Sequence, residues 1–191
     1  MRLVVVDLEM CQPSCRIIQI GAVCFEPDSG KVVDTFDLLV NPGEVISDEI
    51  IALTRITNER VANAPDIVGA AQQFTDWKKT YQINPIGVTW GAGLYNDISL
   101  IYHESKLESP FDKRIIDTKA VYNMLANSSN AAMRGKVGLG KAIMNVGLKW
   151  NHTFGAPHDA LADAWNTYFM YMFLSKCMKQ GFEASKIWRL S

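Results

Sequence analysis

The chain opens with Leu3-Val4-Val5-Val6, four apolar β-formers that run into Asp7-Leu8-Glu9-Met10. This stretch reads as a strand that carries its acids at the far end. Residues two apart on a strand share a face, so Asp7 and Glu9 lie together and Leu8 opposes them. Residues 16–26 (RIIQIGAVCFE) form a second apolar run, closed by the turn signal Pro27-Asp28-Ser29-Gly30. Residues 31–40 form a third, closed by Asn41-Pro42-Gly43. The pattern predicts a three-stranded antiparallel meander.

The period then changes to that of helices. Ser47 precedes Asp48 and Glu49, the arrangement of an N-cap with acids in the first turn. Thr57 caps a second short helix, and Pro65 opens a third whose stripe runs through Ile67, Ala71, Phe74 and Trp77. Residues 85–90 read as a fourth strand, broken by Gly91-Ala92-Gly93, with a helix from about Asn96 to Tyr102. Residues 114–117 are strand-like and 118–125 helical, residues 126–138 are a polar, mobile loop, and 139–146 are helical up to Gly147. A last long helix runs from near His158 to about Met178. Strands that begin antiparallel and then alternate with helices predict an α/β fold, a mixed sheet with helices on both faces. No repeat or linker divides the chain, so residues 1–191 read as a single domain.

Composition narrows the classes. With 191 residues, 48% hydrophobic and a net charge of -1, the chain fits an ordinary globule. It has no run of about 20 apolar residues to span a bilayer and no secretory signal at its start, which predicts a cytoplasmic protein and no membrane partner. Cys11, Cys15, Cys24 and Cys177 lack the paired spacing of a zinc site and read as reduced thiols. Residues 1–95 hold 7 Lys/Arg against 12 Asp/Glu (-5), and residues 96–191 hold 12 against 8 (+4), which sum to the overall -1. An acidic half suits metal and a basic half suits phosphate.

Asp7 and Glu9, held together, repel and resist ionising unless a cation lies between them. Mg²⁺ or Mn²⁺ is the natural partner for hard carboxylate oxygens. A two-metal phosphoryl site needs about four carboxylates around cations ~3.5–4 Å apart. Asp97 follows the fourth strand across a glycine-rich bend, at the edge where sites in parallel sheets collect. Asp163 lies in the last helix between two alanines, a setting that helix propensity does not explain. His158 stands five residues earlier, roughly 140° around an ideal helix. Asp159 as N-cap resolves this by placing His158 on the loop before the helix, free to turn inward.

Asp7-x-Glu9, Asp97, and His158 with Asp163 resemble the three motifs of the DEDDh group of DnaQ-like 3'-to-5' exonucleases. The likeness covers nearly the whole chain and implies the RNase H-like five-stranded mixed sheet. It also implies that Asp7, Glu9, Asp97 and Asp163 bind two divalent cations, Mg²⁺ or Mn²⁺, and that His158 deprotonates the attacking water. A related subgroup has Tyr four residues before the last Asp; here that residue is Asp159. The segment SDEIIALTRITNERVANAP resembles the branch of RNA-interference-enhancing exoribonucleases. The run Asp-Leu-Glu-Met is similar to oligoribonuclease, which acts on very short RNAs. The residue before the third carboxylate is often aromatic in the family; here it is Asn96, with Tyr95 before it. Asp117 is the rival third carboxylate, in a setting that resembles a structural position.

By analogy Met10, Leu53 and Tyr95 touch the terminal nucleotides, and Arg134, Lys136 and Lys141 grip phosphates. The expected substrates are single-stranded or frayed 3' ends of RNA or DNA, with RNA slightly favoured and nucleoside 5'-monophosphates as products. Two other readings stay open: a catalytically silent nucleic-acid-binding or polymerase-associated accessory module, and an endonuclease sharing the fold. A larger nucleic-acid-processing complex or a homodimer is compatible with the aromatic face of the last helix.

Overall fold

Leu3–Met10 (β1) is the middle strand of a five-stranded mixed sheet in the computed structural model, which describes residues 1–91, 96–129 and 137–185. It pairs antiparallel with Ile17–Phe25 (β2), and β2 pairs antiparallel with Val32–Leu39 (β3). On its other side β1 runs parallel to Gly87–Thr89 (β4), which runs parallel to Ile115–Asp117 (β5). The order β3-β2-β1-β4-β5 is the expected meander extended by parallel strands. The helices among the described residues are Asp48–Thr54 (α1), Asn58–Val61 (α2), Ile67–Thr80 (α3), Asp97–Ser105 (α4), Thr118–Ser129 (α5), Leu139–Asn145 (α6) and Ala160–Ser185 (α7).

Alternation along β1 builds two cores. Val4, Val6 and Leu8 face α3 and α4 and pack with Ala70, Phe74, Ile98 and Ile101. Leu3 and Val5 face α7 and pack with Phe25, Ala164 and Tyr168. A third cluster joins α5, α6 and α7 through Tyr122, Ile143 and Met170. The aromatic face of α7 is largely absorbed within the molecule: Trp165, Tyr168, Phe169 and Tyr171 pack against the β2 side, and Phe173 against the α5–α6 cluster. All four cysteines are free thiols. Among the described residues no helix is long and apolar enough to cross a membrane.

Local chemistry sets the helix starts. Ser47 and Thr57 cap α1 and α2, accepting from the N–H groups of Ile50 and Arg60. The third helix begins two places later than Pro65 suggested, because the Asp66 side chain takes the cap and accepts from Gly69. β4 is shorter than residues 85–90, as Pro85 supplies no N–H to a ladder. The polar stretch expected as loop from residue 126 is still helical to Ser129, and residues 130–136 lie outside the described part. α7 runs past Met178 to Ser185, since a single glycine, Gly181, weakens a helix without ending it.

Two glycines flank β1 and let helices come close. Gly21 on β2 lies opposite Asp7, and a Cβ there would overlap the backbone of Ala160 and Leu161 at the start of α7. Gly87 on β4 lies opposite Val4, and a Cβ there would overlap the Ile98 side chain near the start of α4. Backbone cannot yield as a side-chain tip can, so Gly21→Ala is expected to destabilise by about 1–3 kcal/mol. Gly181→Ala meets nothing within 4 Å and is expected to stabilise by about 0.5–1 kcal/mol. Urea unfolding of the two variants beside the parent checks both signs.

Candidate active site

β1 delivers Asp7 and Glu9 to the α7 face, where Glu9 is only 8% exposed and Asp7 half-buried. β4 hands the chain on to α4, whose N-cap Asn96 accepts from Ser99 N–H at 2.9 Å and fixes Asp97 as the first helical residue. α7 supplies Asp163 on the turn that Gly21 admits against the sheet. Oxygens of Glu9 and Asp163 and a ring nitrogen of His158 all lie within 4.8 Å of one another. The three residues are separated by up to 154 positions in the sequence (163 - 9), so this convergence is a product of the fold.

His158 reaches the site from outside the helix. The Asp159 carboxylate accepts from Ala162 N–H at 3.1 Å, so it is the N-cap of α7 and His158 precedes it. His158 has a φ of 64°, in the left-handed region, which turns its exposed side chain out of the helical path. On the upstream side Arg55 donates from Nη1 to the Pro157 carbonyl at 3.2 Å.

The electrostatics are one-sided. Burial pushes Asp7 well above the usual carboxylate range, and the charges of Asp97, Asp163, Glu9 and Asp159 push it further. Glu9 rises to about 8, mainly through burial, then through Asp163, Asp159 and Asp97. Asp97 rises to about 7 through burial, and Asp163 to about 7 through burial, opposed by a hydrogen bond from the His158 backbone N–H. The buried Oδ1 of Asp163 has no hydrogen-bond partner. An orphaned carboxylate oxygen among other acids fits a site for a hard divalent cation.

Asp117 lies elsewhere in function. Its Oδ1 accepts from the N–H groups of Gly91 at 3.1 Å and Ala120 at 2.9 Å, so it ties the end of β4 to the start of α5. Met10 is half-buried against the α3–α4 core, whereas Leu53 is 44% exposed on α1 and Lys141 is exposed on α6. Tyr95, Arg134 and Lys136 lie outside the described residues. Sequence reasoning passed over Gln19, whose side chain accepts from Ala160 N–H at the start of α7. Its signal is a polar residue inside an otherwise apolar strand. Arg55 carried no such signal.

The chain matches the RNase_T family, described as Exonuclease, over residues 4–171. It is 36% identical over 62 residues to the PolC-type DNA polymerase III of Staphylococcus aureus, a match spanning 32% of this chain and 4% of that protein. Its fold is similar to the nuclease domain of 3'hExo, a DEDDh family member bound to rAMP, with TM-score 0.76, 21% identity and 92% of each chain covered. It is similar also to E. coli Exonuclease I in complex with a dA16 oligonucleotide, with TM-score 0.70 and 13% identity, over 96% of this chain and 42% of that one. With the family matched across most of its length, the chain belongs to the RNase_T exonuclease family, and its fold is that of the 3'hExo nuclease domain.

Proposed function

We propose that the described residues act as one exonuclease domain that removes nucleotides from unpaired 3' ends, RNA slightly ahead of DNA, and releases nucleoside 5'-monophosphates. The observation that carries this reading is the meeting of Glu9, Asp163 and His158 within 4.8 Å. Asp7, Glu9, Asp97 and Asp163 hold two divalent cations, Mg²⁺ or Mn²⁺. When bound, these supply charge for the attacking water and the leaving oxygen of an in-line displacement.

The chain's own residues do the rest. His158 accepts the proton of the attacking water as its oxygen bonds to the terminal phosphorus. The phosphorus–O3' bond then breaks, the O3' leaves on the shortened strand with a proton from solvent, and the released nucleotide keeps its phosphate. Leu53, on the exposed side of α1, presents an apolar side chain on which a base packs. Lys141, exposed on α6, is assigned to a phosphate of the strand. A free strand end can be drawn into such a site, whereas a duplex end must first fray. That 3'hExo is bound to rAMP supports the RNA preference. The match to a DNA polymerase favours a second reading, a polymerase-associated accessory module acting beside DNA.

Digestion of matched end-labelled RNA and DNA strands, single- and double-stranded, with Mn²⁺ and with EDTA, tests the reading. Mononucleotides released stepwise from the 3' end, abolished by EDTA, are the expected result. Asp7→Ala is expected to lower turnover by at least about 10³-fold and His158→Ala by about 10²–10⁴-fold. Internal fragments, or full activity in folded Asp7→Ala, overturn it.

The same acids set a pH dependence. A carboxyl whose pKa is raised in the folded state stabilises the fold below its unfolded value, and that contribution is lost as pH climbs through the folded value. The folded values are about 7 for Asp97 and Asp163 and about 8 for Glu9. The melting temperature of the metal-free protein is therefore expected to fall from about pH 4, where the unfolded carboxyls ionise, to about pH 8, and to level off above that. Saturating Mn²⁺ is expected to raise the midpoint by about 5–10 °C, most at the alkaline end. A melting curve indifferent to both pH and Mn²⁺ removes the basis for the cation site.

A further inference from the structure

The start of α7 brings in two site groups, His158 just before the helix and Asp163 in its first turn, and the anchor of that turn lies on the facing side of β2. Across β1, β2 and β3 the register aligns Asp7, Gly21 and Asp37 in one row and Glu9, Gln19 and Leu39 in the next. Directly opposed residues share a face, so both rows look toward α7. Gly21 leaves room for the Ala160–Leu161 backbone, and Gln19 stands at the rim of that room, only 3% exposed.

Gln19 is held at both ends of its amide. Nε2 donates to Asp37 Oδ1 at 2.9 Å, and Oε1 accepts from Ala160 N–H at 3.0 Å. The opposite rotation of the amide would set its NH₂ against the Ala160 N–H and its carbonyl against the Asp37 carboxylate, donor to donor and acceptor to acceptor. Asp37, an acceptor only, therefore fixes which way Gln19 faces. Ala160 N–H is one of the donors at a helix start that has no partner within the helix. Asp159 caps a different one, that of Ala162, so without Gln19 the buried Ala160 N–H is left unpaired.

We propose that Gln19 and Asp37 are positioning residues for the reaction, setting the height of the first turn of α7 and hence the placing of His158 and Asp163. The assignment rests on the exonuclease reading of that site. His158 stands two residues before Ala160 and Asp163 three after it, so a shift of that one backbone N–H displaces both. A misplacement of about 1 Å is enough to lower a rate by about 10²-fold.

Three variants test it: Gln19→Met, which keeps the volume and removes both polar ends, Asp37→Asn, whose amide oxygen still accepts from Gln19, and Asp37→Leu, which frees the Gln19 amide. The readouts are kcat and KM on a labelled single-stranded RNA with Mn²⁺, and hydrogen exchange of the Ala160 amide in the metal-free protein. Gln19→Met is expected to lower kcat by about 10–100-fold with KM nearly unchanged, and to expose the Ala160 amide to exchange. Asp37→Asn is expected to keep both near the parent values, and Asp37→Leu to fall between.

Asp37 is exposed, so its variants decide the matter if Gln19→Met fails to fold. Parental kcat in folded Gln19→Met or Asp37→Leu overturns the proposal, as does loss of melting temperature with kcat intact. If the parent protein hydrolyses neither RNA nor DNA, the exonuclease reading is what fails. Exchange at Ala160 then still decides whether Gln19 and Asp37 hold the turn.

Discussion

Four carboxylates brought to one end of a sheet repel one another, and that repulsion governs how the remainder of the molecule has to be built. Taking an ionised carboxylate out of water without a partner costs several kcal/mol even after relaxation, while a whole domain nets only about 5–15 kcal/mol. The acids of β1 are tolerated because the strand that carries them begins as an apolar ladder. Val4, Val5 and Val6 are fully buried, and every residue of the neighbouring β2 is buried. Each such aliphatic side chain contributes about 1.5–3 kcal/mol, so the strand keeps its register whatever charge sits at its end. Asp97 and Asp163 arrive on separate helices, each backed by its own core cluster.

Much of this was legible in the sequence because it depends on local patterning. The alternation in β1, the apolar run of β2, the turns at 27–30 and 41–43, and the Ser47, Thr57 and Asp159 caps are all short-range signals. Asp7, Glu9 and Asp163 stand out because each breaks an apolar or small-residue context, and Asp97 because it follows the fourth strand across a glycine-rich bend. What stayed hidden is long-range: a glycine in a strand announces a bulge or a close approach without saying to what. Gly21 and Gly87 acquire meaning only once α7 and α4 are seen against them. The Arg55 bond to Pro157 and the Gln19 bond to Ala160 join residues 102 and 141 positions apart, and no periodicity reports such a pair. α7 runs on past the apolar stretch that ends near Met178, because one glycine at 181 costs a helix only about 1 kcal/mol.

His158 shows how the chain solves a problem of helical phase. On one continuous helix it would point well away from Asp163, yet the two share a cluster with Glu9. The solution is a left-handed residue immediately before the N-cap, a conformation that costs a non-glycine residue about 1–2 kcal/mol. Such a residue persists only where its surroundings over-determine it. Here they do: Pro157 is held from α1, Asp159 caps the helix, and Ala160 is held from β2.

The positive end of α7 also points at the acids, and a helix N-terminus favours negative charge by about 0.3–1 kcal/mol at an exposed site. That is too little to decide the balance, since Asp163 at the same helix start is still raised to about 7. Compensation has to come from something carrying whole charges, and the unpartnered Asp163 Oδ1 is an oxygen left to meet it. The groups that hold the geometry, namely Gly21, Gly87, Gln19 and Arg55, are distinct from the groups that would bind a cation. The site is therefore shaped before a cation arrives, and binding energy need not be diverted into folding the first turn of α7.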